Sequence, residues 1–183
     1  WFVQHGPNTF VVLFALLGLW LLMRDPGLSW FTIVASVVSL FAAFWSKQTG
    51  LAFLAAGIVY ILLTNPRKGL AAAAMAAGLM CVALTYYSKK YPGFLYNVFV
   101  LQGESPMMWR EFFNPVLFPE NFGRFGILFA VILYGLWTDG WNLRKLIRVE
   151  YLFFGAAAVV GVITRLKYGS GTTQAIAFNG LTF

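Results

Sequence analysis

Six apolar runs separated by polar breaks dominate the hydrophobic pattern of the chain. They are Asn8–Met23, Ser29–Ser46, Thr49–Thr64, Gly69–Tyr87, Phe125–Thr138 and Tyr151–Thr164. A helix needs about 20 mostly apolar residues, within a range of roughly 17 to 25, to cross a bilayer. The pattern therefore predicts an all-α integral membrane protein, a polytopic bundle of about six transmembrane helices.

Proline and glycine mark the breaks between the runs. Asp25-Pro26-Gly27 ends the first run, Asn65-Pro66 ends the third, and Tyr91-Pro92-Gly93 follows the fourth. Clusters of this kind favour turns. The one long break, about 88–124, mixes aromatic residues and methionines with charges. We predict an outer loop there that contains interfacial helices or packs on the outer mouth of the bundle.

The composition favours a membrane over an aqueous environment. Hydrophobic residues make up 60% of the chain and charged residues 10%, whereas a soluble domain is near half apolar and about a quarter charged. The net charge of +7 comes from residues in the breaks, so we expect membrane lipids and no nucleic acid as partners. The positive-inside rule places the turns with Arg24, Arg67 and Arg144 on the cytoplasmic side.

Motifs of soluble enzymes are missing from the sequence. His5 is the only histidine and Cys81 the only cysteine, so the chain by itself provides neither a His-based zinc site nor a Ser-His-Asp triad. We expect no cofactor and no metal site, and we assign no catalytic residue. Asp25 lies in a predicted turn, where we expect it to be solvated.

Lys47 is the charge that most directly indicates a ligand. It follows the second run, and a lysine in that position commonly extends to the lipid headgroups. Alternatively its ammonium contacts a phosphate, and Gln48 and Thr49 donate hydrogen bonds to the same anion. Lys167 belongs to a second polar cluster, Arg165–Thr173, which either cradles a phosphate through backbone amides or forms a solvated loop.

Six short motifs follow one another along the chain. They are Gly6-Pro7-Asn8-Thr9, Leu21-Leu22-Met23-Arg24, Ser46-Lys47-Gln48-Thr49-Gly50, Asn65-Pro66-Arg67-Lys68, Tyr91-Pro92-Gly93-Phe94-Leu95-Tyr96 and Lys167-Tyr168-Gly169-Ser170-Gly171-Thr172-Thr173. In this layout they resemble a middle or C-terminal portion of bacterial membrane glycosyltransferases of the GT-C class. The similar enzymes are of the protein O-mannosyltransferase or aminoarabinose-transferase type, family 39-like.

The resemblance implies a transferase that moves a sugar from a polyprenyl-phosphate carrier to an acceptor on the outer membrane face. It implies that Lys47 and Lys167 help hold the carrier phosphate, and that the catalytic aspartate lies outside this sequence. With Gln48, the neighbour of Lys47, these residues form the predicted lipid-phosphate site. We then expect residues 1–183 to form a single transmembrane domain, part of a longer polytopic chain in the bacterial cytoplasmic (inner) membrane.

Two other interpretations stay open. Small residues in the fourth and sixth runs favour close helix packing. Together with the lack of a clear catalytic carboxylate, they also fit a non-catalytic transmembrane scaffold subunit that packs against other membrane subunits of a larger complex. The third interpretation is part of a transporter, which the scarcity of charges within the runs disfavours because ion pathways need ionisable groups.

Overall fold

The computed structural model describes residues 2–96, 130, 133–135, 137–138 and 148–166. These residues form helices and turns and include no strand, which confirms the all-α prediction. A 3₁₀ turn, Gln48–Gly50, precedes the third helix. The helices are α1 (Phe2–Arg24), α2 (Trp30–Ser46), α3 (Leu51–Thr64), α4 (Pro66–Lys90) and α5 (Val149–Leu166).

The helix boundaries follow the predicted turns closely. Ser29 and Asn65 cap the N-termini of α2 and α4 by accepting a hydrogen bond from the backbone of the helix that follows, and Pro66 occupies the start of α4. These are favoured residues at those positions. The described residues of the fifth run, 130, 133–135 and 137–138, are also helical.

The long loop begins later than predicted. Ser88–Lys90 extend α4 by most of a turn, because basic residues in the last turn complement the helix dipole although they add nothing to the apolar pattern. Residues 97–124 of the predicted loop, including any interfacial helices, lie outside the described residues.

Leu40 of α2 packs between two glycines on neighbouring helices. Its side chain is fully buried. A methyl group on Gly18 of α1 would lie 2.6 Å from Leu40 Cδ2, and one on Gly57 of α3 would lie 2.5 Å from Leu40 Cδ1. Across α3, Phe53 contacts Phe153 of α5 at a ring-centroid distance of 5.9 Å. At Gly18 and Gly57 the lack of a side chain therefore lets neighbouring helices approach closely.

Length and apolar composition together distinguish α4 from the other described helices. Among the residues that the structure describes, α4 is the one helix both long and apolar enough to cross a membrane. The remaining apolar stretches are shorter: Thr9–Arg24, Trp30–Ser46, Gln48–Thr64 and Val149–Val160. An arrangement with about six crossings therefore stays a proposal.

Candidate functional site

Lys47 forms the junction between α2 and the 3₁₀ turn. Its backbone is extended, with φ −161° and ψ 141°, and its N–H donates to the Ala43 carbonyl at 3.2 Å. The Lys47 carbonyl accepts from the Gly50 N–H at 2.9 Å. A side chain at position 50 would overlap the backbone of Ala43 and Phe44. Gly50 thus allows the chain to fold back directly against α2.

The Lys47 ammonium is removed from full contact with water. Its side chain is half-buried, and this burial lowers the pKa of Lys47 below its ordinary value because desolvation disfavours the charged form. A nearby anion would favour the charged form and raise the pKa again. Gln48, also half-buried, follows directly in the 3₁₀ turn. The junction therefore offers a cation and an amide in one turn.

The other predicted phosphate contact is Lys167. Lys167 and residues 168–173 lie outside the described residues. Arg165 is part of α5, which continues to Leu166. The predicted convergence of Lys47 and Lys167 on one phosphate stays a prediction.

Five aromatic rings pack together at the end of the bundle where α2 and α4 terminate. This aromatic cluster consists of Trp45, Tyr86, Tyr87, Tyr91 and Phe94. The Tyr87 ring is central, with centroid distances of 5.1 Å to Trp45, 5.2 Å to Tyr86, 5.4 Å to Phe94 and 6.0 Å to Tyr91. Aromatic pairs at such distances add stability beyond the area they bury. The cluster thereby joins the end of α4 to the Lys47 junction.

Lys90 places its ammonium on the outer side of the aromatic cluster. Its Nζ lies 5.5 Å from the ring centroids of both Tyr86 and Tyr91 and donates to the Tyr86 hydroxyl at 3.3 Å. All three side chains are exposed. Residues 26–96 contain no aspartate or glutamate, so this segment presents cations and rings without an acidic group of its own.

Asp25 stabilises a turn at the opposite end of α2. Its Oδ2 accepts from the Ser29 N–H and from the Thr32 hydroxyl, each at 2.8 Å. Hydrogen bonds from the Ser29 side chain and backbone, and then from Thr32, lower the pKa of Asp25 to about 2. Asp25 remains accessible to solvent, as expected, and its carboxylate is in addition bound at the N-terminus of α2.

Lys68 connects that turn to α4. Its Nζ donates to the Leu28 carbonyl at 2.7 Å and to the Gly27 carbonyl at 3.4 Å. Leu28 has a positive φ of 51°, a conformation that L-residues seldom adopt. The Lys68 contacts hold this turn against the start of α4, so this cation has a structural role.

The aromatic cluster was only partly visible in the sequence. Trp45, Tyr86 and Tyr87 are typical of a membrane-interface belt. Tyr91 follows the last residue of α4 in an extended conformation, so helical spacing does not predict its contact with Tyr87. The contact of Tyr87 with Trp45 depends on the pairing of α2 with α4, which has no local signature.

Comparison with protein-family models, with curated proteins and with solved structures finds no match. The class of protein that the described residues define is an all-α helical bundle. Within those residues, no group of three or more histidines, cysteines or acidic side chains is arranged to hold a metal ion. Assignment to the GT-C glycosyltransferases is supported by the sequence motifs and remains a proposal.

Proposed function

We propose that the chain is a polytopic membrane protein whose Lys47 junction binds the phosphate of a lipid carrier. The outer surface of the bundle supports a membrane location. Phe31 is 79% exposed, Val82 71% and Leu70 66%, while the polar side chains of Thr32, Ser36 and Ser39 are buried. Large exposed apolar surfaces are unusual in water and ordinary in lipid.

The positions of the cations also support a membrane location. On α1–α4 they occur near helix ends and in turns, with Arg24 and Lys68 at one end of the bundle and Lys47 and Lys90 at the other. Charges in the hydrocarbon core are costly, so this distribution suits helices that cross it. The 25 residues of α4 span about 37 Å, enough for a core of about 30 Å.

The location can be tested on Cys81, the only cysteine of the chain. Cys81 is exposed on α4, nine residues before Lys90. If α4 crosses a membrane, a charged maleimide should leave Cys81 unmodified in sealed vesicles and modify it after denaturation in detergent. Full labelling in intact vesicles would contradict the proposed crossing.

The same reagent gives the orientation. In a Cys81→Ser background, Arg67→Cys and Lys89→Cys introduce thiols at the two ends of α4. The two positions should label from opposite sides of the vesicle membrane, with position 67 on the cytoplasmic side. Labelling of both positions from one side would contradict the proposal.

The observation that carries the phosphate site is the half-buried Lys47 ammonium at a helix junction. A desolvated cation gains more from an anion than an exposed one, since water competes less. The lipid carrier we propose is a polyprenyl phosphate bearing a sugar. In a GT-C transferase this cation would stabilise the negative charge that develops on the leaving phosphate. The catalytic aspartate would come from outside this sequence.

The binding test uses a labelled polyprenyl phosphate and the purified chain in lipid nanodiscs. Lys47→Ala should weaken binding by about tenfold or more, as expected for loss of a hydrogen bond to a charged group. Lys47→Arg should retain part of the affinity. Arg67→Ala, at the other end of the bundle, is the matched control and should bind normally. Equal binding of polyprenol without phosphate would rule out a phosphate site.

One observation supports the alternative of a non-catalytic scaffold subunit. On the exposed face of α4, a methyl group added to Gly78 would contact nothing within 4 Å among the described residues, and Ala74 and Ala77 are exposed beside it. Small residues let helices of different subunits approach. In that case Gly78→Leu should reduce the size of the native complex on blue-native gels, and Lys47→Ala should leave lipid-phosphate binding unchanged.

A further inference from the structure

We infer that Lys90, Tyr86 and Tyr91 form a binding site for the phosphodiester headgroup of an anionic phospholipid. The inference rests on the proposed membrane location and does not depend on the role of Lys47. It concerns bulk lipid held at the edge of the aromatic cluster, a ligand different from the sugar carrier.

The Lys90 ammonium is held beside two rings and keeps donors for a ligand. Lys90 Nζ lies 5.5 Å from two ring centroids and donates one hydrogen bond to the Tyr86 hydroxyl. An ammonium has three donors, so donors remain for a phosphate oxygen. Contacts with the rings also restrict a flexible side chain before a ligand arrives, which reduces the entropy lost on binding.

The two tyrosine rings beside Lys90 are both fixed and accessible. Tyr86 and Tyr91 are 54% and 49% exposed, and both pack on Tyr87, which in turn packs on Trp45. The rings are therefore held by half-buried neighbours while their outer sides stay accessible. The Tyr86 hydroxyl can accept from Lys90 and donate to a phosphate at the same time.

Charge complementarity favours an anionic lipid as the occupant. Residues 26–96 carry no acidic group, and Lys89 adds a second exposed cation beside Lys90. Tyrosine rings prefer the headgroup level of a bilayer, and that level is where lipid phosphates lie. A basic, aromatic surface at the headgroup level therefore contacts anionic lipid headgroups more often than it contacts soluble anions.

The test compares the intact protein in nanodiscs of phosphatidylcholine with and without phosphatidylglycerol, with retained lipids counted by native mass spectrometry. If the two lysines attract anionic lipid only through their charge, Lys89→Gln and Lys90→Gln should each lower the preference for phosphatidylglycerol by about fivefold. A site at Lys90 predicts a clearly larger loss for Lys90→Gln than for its neighbour. It also predicts a loss of about threefold for Tyr86→Phe, which changes no charge but removes one hydroxyl.

The outcomes separate this inference from the other proposals. Equal effects of the two lysine variants, together with an unchanged Tyr86→Phe protein, would overturn the site. Competition by inorganic phosphate without any preference for phosphatidylglycerol would also overturn it. Thermal unfolding of each variant in detergent checks that the fold persists, and Tyr86→Phe, the least disruptive change, decides the result if Lys90→Gln unfolds. Failure of the membrane location would appear separately as labelling of Cys81, and failure of the carrier site as normal binding by Lys47→Ala.

Discussion

Gly69 lies where α4 packs directly on the backbone of α3. A methyl group at this position would lie 2.6 Å from the Leu62 backbone nitrogen and 2.7 Å from Leu62 Cβ, and closer still to its Cα. Non-bonded heavy atoms prefer separations of about 3.5 to 4.0 Å. Gly69→Ala therefore requires the helices to separate by about 1 Å, although only Asn65 connects them.

The magnitude follows from two opposing terms. Overpacking a tight contact costs about 1 to 3 kcal/mol, and the upper end applies here because backbone atoms cannot rotate away. Replacing glycine by alanine in a helix recovers about 1 kcal/mol. We expect Gly69→Ala to lower the free energy of unfolding by about 2 kcal/mol.

Gly78 on the same helix is the matched control. A methyl group there meets nothing within 4 Å among the described residues, so Gly78→Ala should gain about 1 kcal/mol from helix propensity alone. Unfolding can be followed by circular dichroism as SDS is titrated into detergent micelles. Similar midpoints for the two variants would refute the close α3–α4 contact on which this reasoning depends.

Two further predictions concern polar groups. Ser39→Ala should lower the free energy of unfolding by about 1 kcal/mol because it removes the 2.8 Å hydrogen bond to the Phe14 carbonyl. Ser36→Ala should leave the free energy of unfolding unchanged or raise it, since the buried Ser36 hydroxyl has no partner among the described residues. SDS titration of both variants measures the difference. The pKa of Asp25 is about 2 instead of its usual 3.8, so its stabilising contribution is complete above the usual value and is lost as the pH falls from there through about 2. As the pH falls across that range, the unfolding temperature of the wild-type protein should decrease more steeply than that of Asp25→Asn. Parallel plots of unfolding temperature against pH would contradict the Asp25 hydrogen bonds.

The helices of the first half of the chain were predictable because each boundary combines an apolar run with a turn signal. Ser29 and Asn65 each interrupt the apolar pattern and are favourable N-cap residues, which gives two signals for the start of a helix. Pro66 adds a third signal at the start of α4. Where such signals disagree, the prediction was less accurate. Ser88–Lys90 are polar and were assigned to a loop, yet they remain helical because helix ends tolerate polar and basic residues.

Contacts between helices were not predictable from the pattern. Nothing local indicates that Leu40 packs between Gly18 and Gly57, because that depends on the register of three helices. The same limit applies to the aromatic cluster, in which Tyr87 meets Trp45 from another helix. Lys47 was identifiable as a helix-end cation, but its partial burial is a tertiary property that the sequence pattern does not indicate.

The two ends of the bundle differ in a way that formal charge does not show. At the Arg24 end, Lys68 donates to two backbone carbonyls, and Asp25 supplies a negative charge beside them. These charges are engaged in holding the α1–α2 turn. At the other end Lys90 lies beside two aromatic rings, in a segment that has no acidic residue. Both proposed phosphate sites therefore fall at the end of the bundle that Lys47 and Lys90 share, and Arg67→Ala, at the Arg24 end, is the control that should leave each of them intact.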